Sequence, residues 1–203
     1  MSNPPKVATN TPKLRLARGF SIAGHPMIML PASALIYSLA AGSLTRILTV
    51  LGIAIVVSAG LGAWAQKKVG TGQWSHVDAI DPRERREWNI AVLGCFLVIA
   101  ALCALYDPEF AVGVLALAFI MLSAMLLAPW LKVSQHTAFA VLSTWVVATI
   151  NPAAGMAFAA LSLAVAWSRL ALKRHTSKEV VVGFALGALT GAGLTLLARV
   201  VGG

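Results

Sequence analysis

The chain has 203 residues, 59% of them hydrophobic and only 11% charged, and its mean hydropathy is +0.83. A soluble domain carries about 25% charged residues to keep a polar surface in water, so this composition excludes one and makes lipid the solvent for much of the chain. The net charge of +9 sits in short segments between apolar runs, without interleaved aromatic residues. That pattern argues against nucleic acid as a partner and for anionic lipid headgroups or a phosphate-bearing substrate.

In chain order, residues 1–18 read as a polar, basic tail, partly disordered, with Pro4, Pro5 and Pro12. They do not read as a cleaved signal peptide, because the apolar stretch that follows is too long and no small-residue cleavage site is evident. Residues 19–203 read as one transmembrane domain. Apolar runs fall near 25–43, 46–66, 88–106, 109–131, 135–150, 152–171 and 180–200. Each approaches the ~20 residues that a helix needs to cross hydrocarbon. They are continuous and lack period-2 alternation, which rules out spanning strands. The expected fold is therefore all-α, a polytopic transmembrane helix bundle of six to seven spans.

Boundary signals agree with this layout. Asp107-Pro108-Glu109 separates the third and fourth runs, and Asn151-Pro152 alone joins the fifth and sixth, predicting a tight helical hairpin. Trp64, Trp74, Trp88, Trp130 and Trp167 fall near predicted ends, where interfacial Trp tends to sit. Gly183, Gly187 and Gly191, four residues apart, predict close helix packing. Cys95 and Cys103 share one apolar run and read as packing residues, neither a disulfide nor a metal site.

Seven spans place Lys6, Lys13, Arg15, Arg18, Lys67, Lys68, Arg83, Arg85, Arg86, Lys132, Arg169, Lys173, Arg174 and Lys178 on one side, 14 of the 16 Lys and Arg residues. Arg46 and Arg199 remain for the other. The positive-inside bias puts the richer side in the cytoplasm. Setting aside Arg83, Arg85, Arg86, Lys132 and Arg169 as phosphate ligands still leaves nine against two.

Three polar clusters lie on that side, each at a membrane edge. In Ser168-Arg169-x5-His175-x3-Glu179, helical spacing sets His175 and Glu179 one turn apart on one face. A carboxylate there can hold the imidazole's tautomer and leave its other nitrogen free to attack phosphorus. The plainer alternative is a solvated basic loop capped by Ser177. Lys132-Val-Ser134-Gln-His136 offers a cation, a hydroxyl and a second histidine just before a helix, whose N-terminus attracts anions; alternatively it is an interfacial Lys and a Ser cap. The earliest cluster, from His76 through Asp78 and Asp81 to Arg83-Glu84-Arg85-Arg86-Glu87, opens a helix at Pro82 and supplies Arg, suited to bidentate phosphate contacts. Its alternative is a charged loop of mutually compensating ions. Taken together, the three fit phosphoryl transfer through histidine. No carboxylate cluster for Mg²⁺, paired-histidine zinc spacing or Walker loop is present, so cations and backbone groups would do the electrostatic work.

These residues resemble the type 2 phosphatidic acid phosphatase (PAP2) superfamily. Ser168-Arg169-x5-His175-x3-Glu179 is similar to its third motif, with Glu179 where Asp is usual, and Lys132-Val-Ser134-Gln-His136 is similar to its second. His25-Pro26, Arg83-Glu84-Arg85 and the Gly-rich last helix resemble a divergent bacterial branch, which would place the protein in a bacterial inner membrane. The resemblance implies that His175 is the nucleophile forming a phosphohistidine, that Glu179 orients it and that His136 protonates the leaving lipid oxygen. Arg169, Lys132, Ser134 and an Arg of the first cluster, Arg85 or else Arg83, would hold the phosphoryl oxygens. It implies no metal or other cofactor, and a membrane lipid phosphate or diphosphate as substrate: a polyprenyl diphosphate, a phosphatidic acid or a phosphorylated glycolipid. The rival readings are a catalytically weak lipid-phosphate binder or transporter on the same helices, and a scaffold for other membrane proteins. Oligomeric state is not legible in the sequence.

Overall fold

Proline sets where most helices begin. Five start on one: α1 (Pro12–Ala23), α2 (Pro26–Ala40), α4 (Pro82–Cys103), α5 (Pro108–Leu127) and α7 (Pro152–Ala171). The first helical position needs no N–H donor, and the ring presets its φ. The residues just before four of them cap the free N–H groups: His25 Nδ1 accepts from Met27, Asp81 from Arg83, Asp107 from Phe110 and Asn151 from Ala154. The remaining helices are α3 (Leu44–Gly70), α6 (Gln135–Ile150) and α8 (Ser177–Val201). The computed structural model describes residues 11–77, 79 and 81–201, with side chains as far as residue 197. No strand occurs among the described residues.

Each of the seven apolar runs is a helix, α2 to α8. Five of these, α3, α4, α5, α7 and α8, are individually long and apolar enough to cross a membrane. A sixth span results if α1 and α2, bent by 50° at their junction, are taken as one broken crossing. The count is thus five to six where the sequence predicts six to seven. The shortfall lies in α2 and α6. At 16 residues, α6 is roughly 24 Å long, short of the ~30 Å hydrocarbon core. It does not face lipid over that length, because α2, α5, α7 and α8 pack around it and the side chains from Thr137 to Ser143 are all buried. Large apolar side chains such as Leu48, Ile55, Val98, Leu126, Leu163 and Leu189 instead cover the outside of the bundle, as a lipid-facing surface requires.

A second difference is α1. Residues 12–18, read from sequence as the end of the tail, form the first half of this helix; residues 1–10 lie outside the described part. α1 carries Lys13, Arg15 and Arg18 on exposed positions and packs its other side on α7, with Phe20 edge-on to Trp167 at 6.3 Å. Its low hydrophobicity hides it from a search for apolar runs. Its boundaries are nonetheless written in the chain, in Thr11-Pro12 at one end and Gly24-His25-Pro26 at the other.

Contacts at the two ends fix the alternation of α2 to α8. At one end, Arg46 at the start of α3 makes two hydrogen bonds to Asp107, of 2.5 and 2.9 Å, and one to Glu109 of 2.8 Å at the start of α5. Tyr37, near the end of α2, donates to the same Glu109. This network accounts for Arg46 on the cation-poor side. At the other end Lys68 of α3 meets Glu87 of α4 at 3.1 Å, and the loops before α6 and α8 come together, as described below.

The α6–α7 hairpin turns on one residue. The Asn151 N–H donates to the Val147 carbonyl, ending α6, while its side chain caps α7. On the far side α8 lies against α6 with Gly183, Gly187 and Gly191 inward. A Cβ on Gly183 would come within 2.5 Å of the Ser134 carbonyl oxygen, one on Gly187 would collide with that of Ala138, and one on Gly191 would lie 2.5 Å from the Trp145 ring. Trp64, Trp74 and Trp88 form one aromatic cluster at the cation-rich end, with centroids 4.8 to 6.3 Å apart. Cys95 and Cys103 are both free thiols.

Candidate functional site

The site forms where α6 and α8 begin and α7 ends. α7 closes with two backbone bonds, Lys173 N–H to the Leu170 carbonyl at 2.9 Å and Arg174 N–H to the Arg169 carbonyl at 3.0 Å. This is the paired 5→2 and 6→1 pattern of a Schellman end, and Lys173 takes the left-handed position at φ +53°. The reversal brings His175 back over the last turn of α7, where its N–H also reaches the Arg169 carbonyl at 3.3 Å.

α8 then starts with a capping box. Glu179 Oε2 accepts from the Thr176 N–H at 3.1 Å, and Thr176 Oγ1 accepts from the Glu179 N–H at 3.4 Å. The cap is therefore Thr176 and not Ser177, and Glu, with its extra methylene, is the acid that a capping box uses. The same Oε2 lies 2.9 Å from His175 Nδ1. A carboxylate can only accept, so Nδ1 carries the proton and the lone pair is on Nε2. One carboxylate thus holds both the helix start and the imidazole, and its own rotamer is set by the cap.

The second motif is tied directly to the third, since Ser134 N–H donates to the Glu179 carbonyl at 3.1 Å. The Ser134 side chain is fully buried, 3.0 Å from Thr137 Oγ1, so its hydroxyl braces the start of α6. Ser168 is buried as well, bonded to the Val165 carbonyl at 2.7 Å. Lys132 reaches solvent and directs Nζ to the Arg174 carbonyl at 3.4 Å. The surrounding protein lowers its pKa, first by desolvation and then through Arg85, with Arg169 and Arg174 adding to this and Glu179 opposing it. Arg85, two helices away in sequence, is thereby close enough to act on the same ammonium.

Arg169 is buried, and its Nη1 donates to Ser21 Oγ of α1 at 2.9 Å. His136, the second residue of α6, lies within the fields of Arg169, His25, His175 and Arg174. Its ring stands edge-to-face with His25, centroids 5.1 Å apart and planes at 85°. The structure therefore gathers His175, Glu179, His136, Arg169, Lys132 and Arg85 at one end of the bundle. It does not bring Arg83 to them. That side chain is 89% exposed and points along α4 to Glu87, 3.6 Å away.

Most of the first cluster is occupied with structure. Asp81 and Glu84 form a capping box, and buried Glu84 also accepts from the Ser75 N–H at 2.5 Å and its hydroxyl at 3.2 Å. Glu87 accepts from Lys68 at 3.1 Å and Trp74 Nε1 at 3.2 Å. Asp78 lies outside the described residues. Two neighbours of the site, Ser21 and His25, do not belong to the sequence motifs; only the His25-Pro26 pair hinted at the second.

Burial lowers the His175 pKa below the ordinary imidazole range; the Glu179 hydrogen bond raises it in part, and Arg169 and Lys132 lower it further. The neutral, nucleophilic form therefore persists into mildly acidic solution, and a reaction that needs it is lost only as pH falls through the lowered value. The acid limb of kcat/KM is expected below the usual imidazole range. Glu179→Gln, which removes the raising interaction, should move that limb further to acid while lowering kcat. A limb that shifts upward in the variant would mean that another group titrates.

Residues 130–201 match the family model of the PAP2 superfamily. No curated protein and no solved structure matches the chain. The chain is thus a helical membrane protein whose C-terminal segment, containing the second and third motifs with α6, α7 and α8, is similar to the PAP2 superfamily. The Arg cluster of α4 and the α1–α2 junction lie outside the matched residues.

Proposed function

We propose that the protein is a lipid phosphatase that works through a phosphohistidine. The observation that carries this reading is His175 Nδ1 at 2.9 Å from the cap-fixed Glu179 carboxylate, inside the segment that matches the PAP2 superfamily. His175 Nε2 attacks phosphorus, the bond from phosphorus to the lipid oxygen breaks, and His136 gives that oxygen its proton. Water then attacks the phosphohistidine, losing a proton to His136, and phosphate leaves with His175 restored. Arg169, Lys132 and Arg85 face the charge that develops on the phosphoryl oxygens. Ser134 contributes by holding the start of α6 against α8.

The substrate is a phosphate or diphosphate monoester on a membrane lipid, since the site lies at the end of lipid-embedded helices. Phosphate release from a panel of lipid phosphates and diphosphates, by purified protein in detergent, tests this reading. Turnover is expected to survive EDTA, because three side-chain cations are available for the phosphoryl charge. Binding of the lipids without phosphate release would favour a carrier or transporter. Activity abolished by EDTA and restored only by Mg²⁺ or Mn²⁺ would require a different mechanism.

The site is proposed to face the cytoplasm, on the cation-rich side. Cysteines at Gln73, in the exposed loop beside the site end, and at Ala153, exposed at the other end, report this in a background without Cys95 and Cys103. In intact cells an impermeant thiol reagent should label position 153 and spare position 73. The opposite pattern would turn the site outward.

A further inference from the structure

The α1–α2 elbow reaches the site from outside the matched segment, and it does so under tight local constraint. Gly24 packs against α7 so closely that a Cβ would overlap the Val165 side chain. His25 precedes Pro26, which holds it extended at φ −65° and ψ 136°. In that conformation it caps α2, its Nδ1 accepting the Met27 N–H at 3.2 Å. A ring nitrogen that accepts carries no proton, so His25 is the neutral tautomer with its proton on Nε2. Protonation would set two donors against each other at Met27, so the cap itself favours the neutral ring.

That ring stands edge-to-face with His136 at 5.1 Å. The backbone of His136 is already fixed, because Thr137 and Ala138 after it are completely buried. What remains free is the side-chain rotamer, and the His25 ring limits it. The other groups acting on His136 are Arg169 from α7 and Arg174 and His175 from the α7–α8 loop. Two of these are permanent cations, so a third positive charge at position 25 would oppose the proton that an acid at 136 must carry.

We propose that His25 is a positioning residue for His136: a neutral ring, locked by the α2 cap, that sets the orientation of the acid at the leaving oxygen. This rests on the phosphatase reading and on the role given there to His136. It predicts an effect on the phosphorylation step that is confined to substrates whose leaving group needs a proton.

The test compares a long-chain alkyl phosphate, whose alkoxide must be protonated, with 4-nitrophenyl phosphate, whose leaving group needs no proton. His25→Asn keeps a good N-cap and removes the ring. We expect it to lower kcat/KM on the alkyl ester, which reports the steps up to departure of the leaving oxygen, about 10- to 100-fold, the scale of a misplaced catalytic group. On the aryl ester kcat/KM should stay within about twofold, because the later proton transfer from water to His136 does not enter it. His25→Phe, which keeps a ring and loses the cap acceptor, should retain more alkyl activity than the Asn variant. His136→Ala, assayed in parallel, should show the same split, larger. If His136→Ala shows it and His25→Asn loses both substrates equally, or neither, the inference is overturned while the phosphatase reading stands. A Phe variant worse than Asn on the alkyl ester also overturns it, since the cap alone would then matter. If His136→Ala shows no split, the role of His136 falls and this inference with it. Wild-type protein inert on both esters overturns the phosphatase reading itself.

Discussion

His175→Ala should lower phosphate release by about four to six orders of magnitude, the scale seen when a covalent nucleophile is removed. The protein should still assemble in membranes. His175 sits in the α7–α8 loop and belongs to no buried apolar cluster. When it is lost, Glu179 keeps its bond from the Thr176 N–H at 3.1 Å, so the start of α8 is retained. The stability cost is the bond to Glu179 and the packing of a ring only 6% exposed, together on the order of 2 to 3 kcal/mol. Two measurements check this: phosphate release from the best lipid of the panel, and elution of the purified variant at the wild-type volume. Quenching in alkaline detergent, in which the N–P bond of a phosphohistidine survives, should trap labelled phosphate on wild-type protein and none on the variant. Turnover near the wild-type level would end the phosphohistidine assignment.

Gly187→Val should have the largest structural effect. A Cβ at this position collides with the Ala138 carbonyl oxygen and lies 2.9 Å from Val141 Cβ. Neither can yield, because Ala138 and Val141 lie in the fully packed half of α6, where every side chain from Thr137 to Ser143 is buried. The helices must move apart, and that movement pulls Ser134 N–H from the Glu179 carbonyl, a 3.1 Å bond joining the second motif to the third. Overpacking of this kind costs about 3 kcal/mol or more. Little folded protein is expected, and what folds should have lost activity as well as stability. Gly193→Ala is the control. Nothing lies within 4 Å of a Cβ there, so helix propensity alone applies and the change is neutral or stabilising by up to about 1 kcal/mol. Thermal unfolding in detergent, followed with activity, separates the two. A Gly187→Val protein with wild-type melting and turnover would mean that α8 does not need this close approach.

Much of this molecule is determined by local sequence. Apolar runs longer than any soluble strand or helix needs, broken by prolines and capping residues, decide where α3 to α8 begin and end. Lipid can accept such segments only as helices, since each backbone polar group must find its partner within the segment. Spacing pairs His175 with Glu179 as the structure does, but the reason is different: His175 lies in the loop before α8, and the capping box, not a shared helix face, sets the carboxylate beside it. Thr176-x-x-Glu179 carries the capping box that fixes the carboxylate, and Ser177, the cap in the plainer alternative, is instead the first helical residue.

Tertiary structure decided the rest, because these features depend on residues far apart in the chain. Spacing cannot tell which Arg of α4 belongs to the site; in the fold Arg85 is half-buried and near enough to act on Lys132, while Arg83 goes to solvent with Glu87. The Ser134 hydroxyl finds Thr137 three residues on, but only the approach of α8, through the Glu179 carbonyl and Gly183, buries it and makes it a brace. α6 looked like one more span; only its neighbours show it to be a short central helix that other helices shield from lipid. α1 was hidden in a basic tail because its stability comes from α7 and not from its own hydrophobicity. Ser21 and His25 reach Arg169 and His136 across more than a hundred residues of sequence, a distance over which no periodicity or spacing carries information and only the packed bundle does.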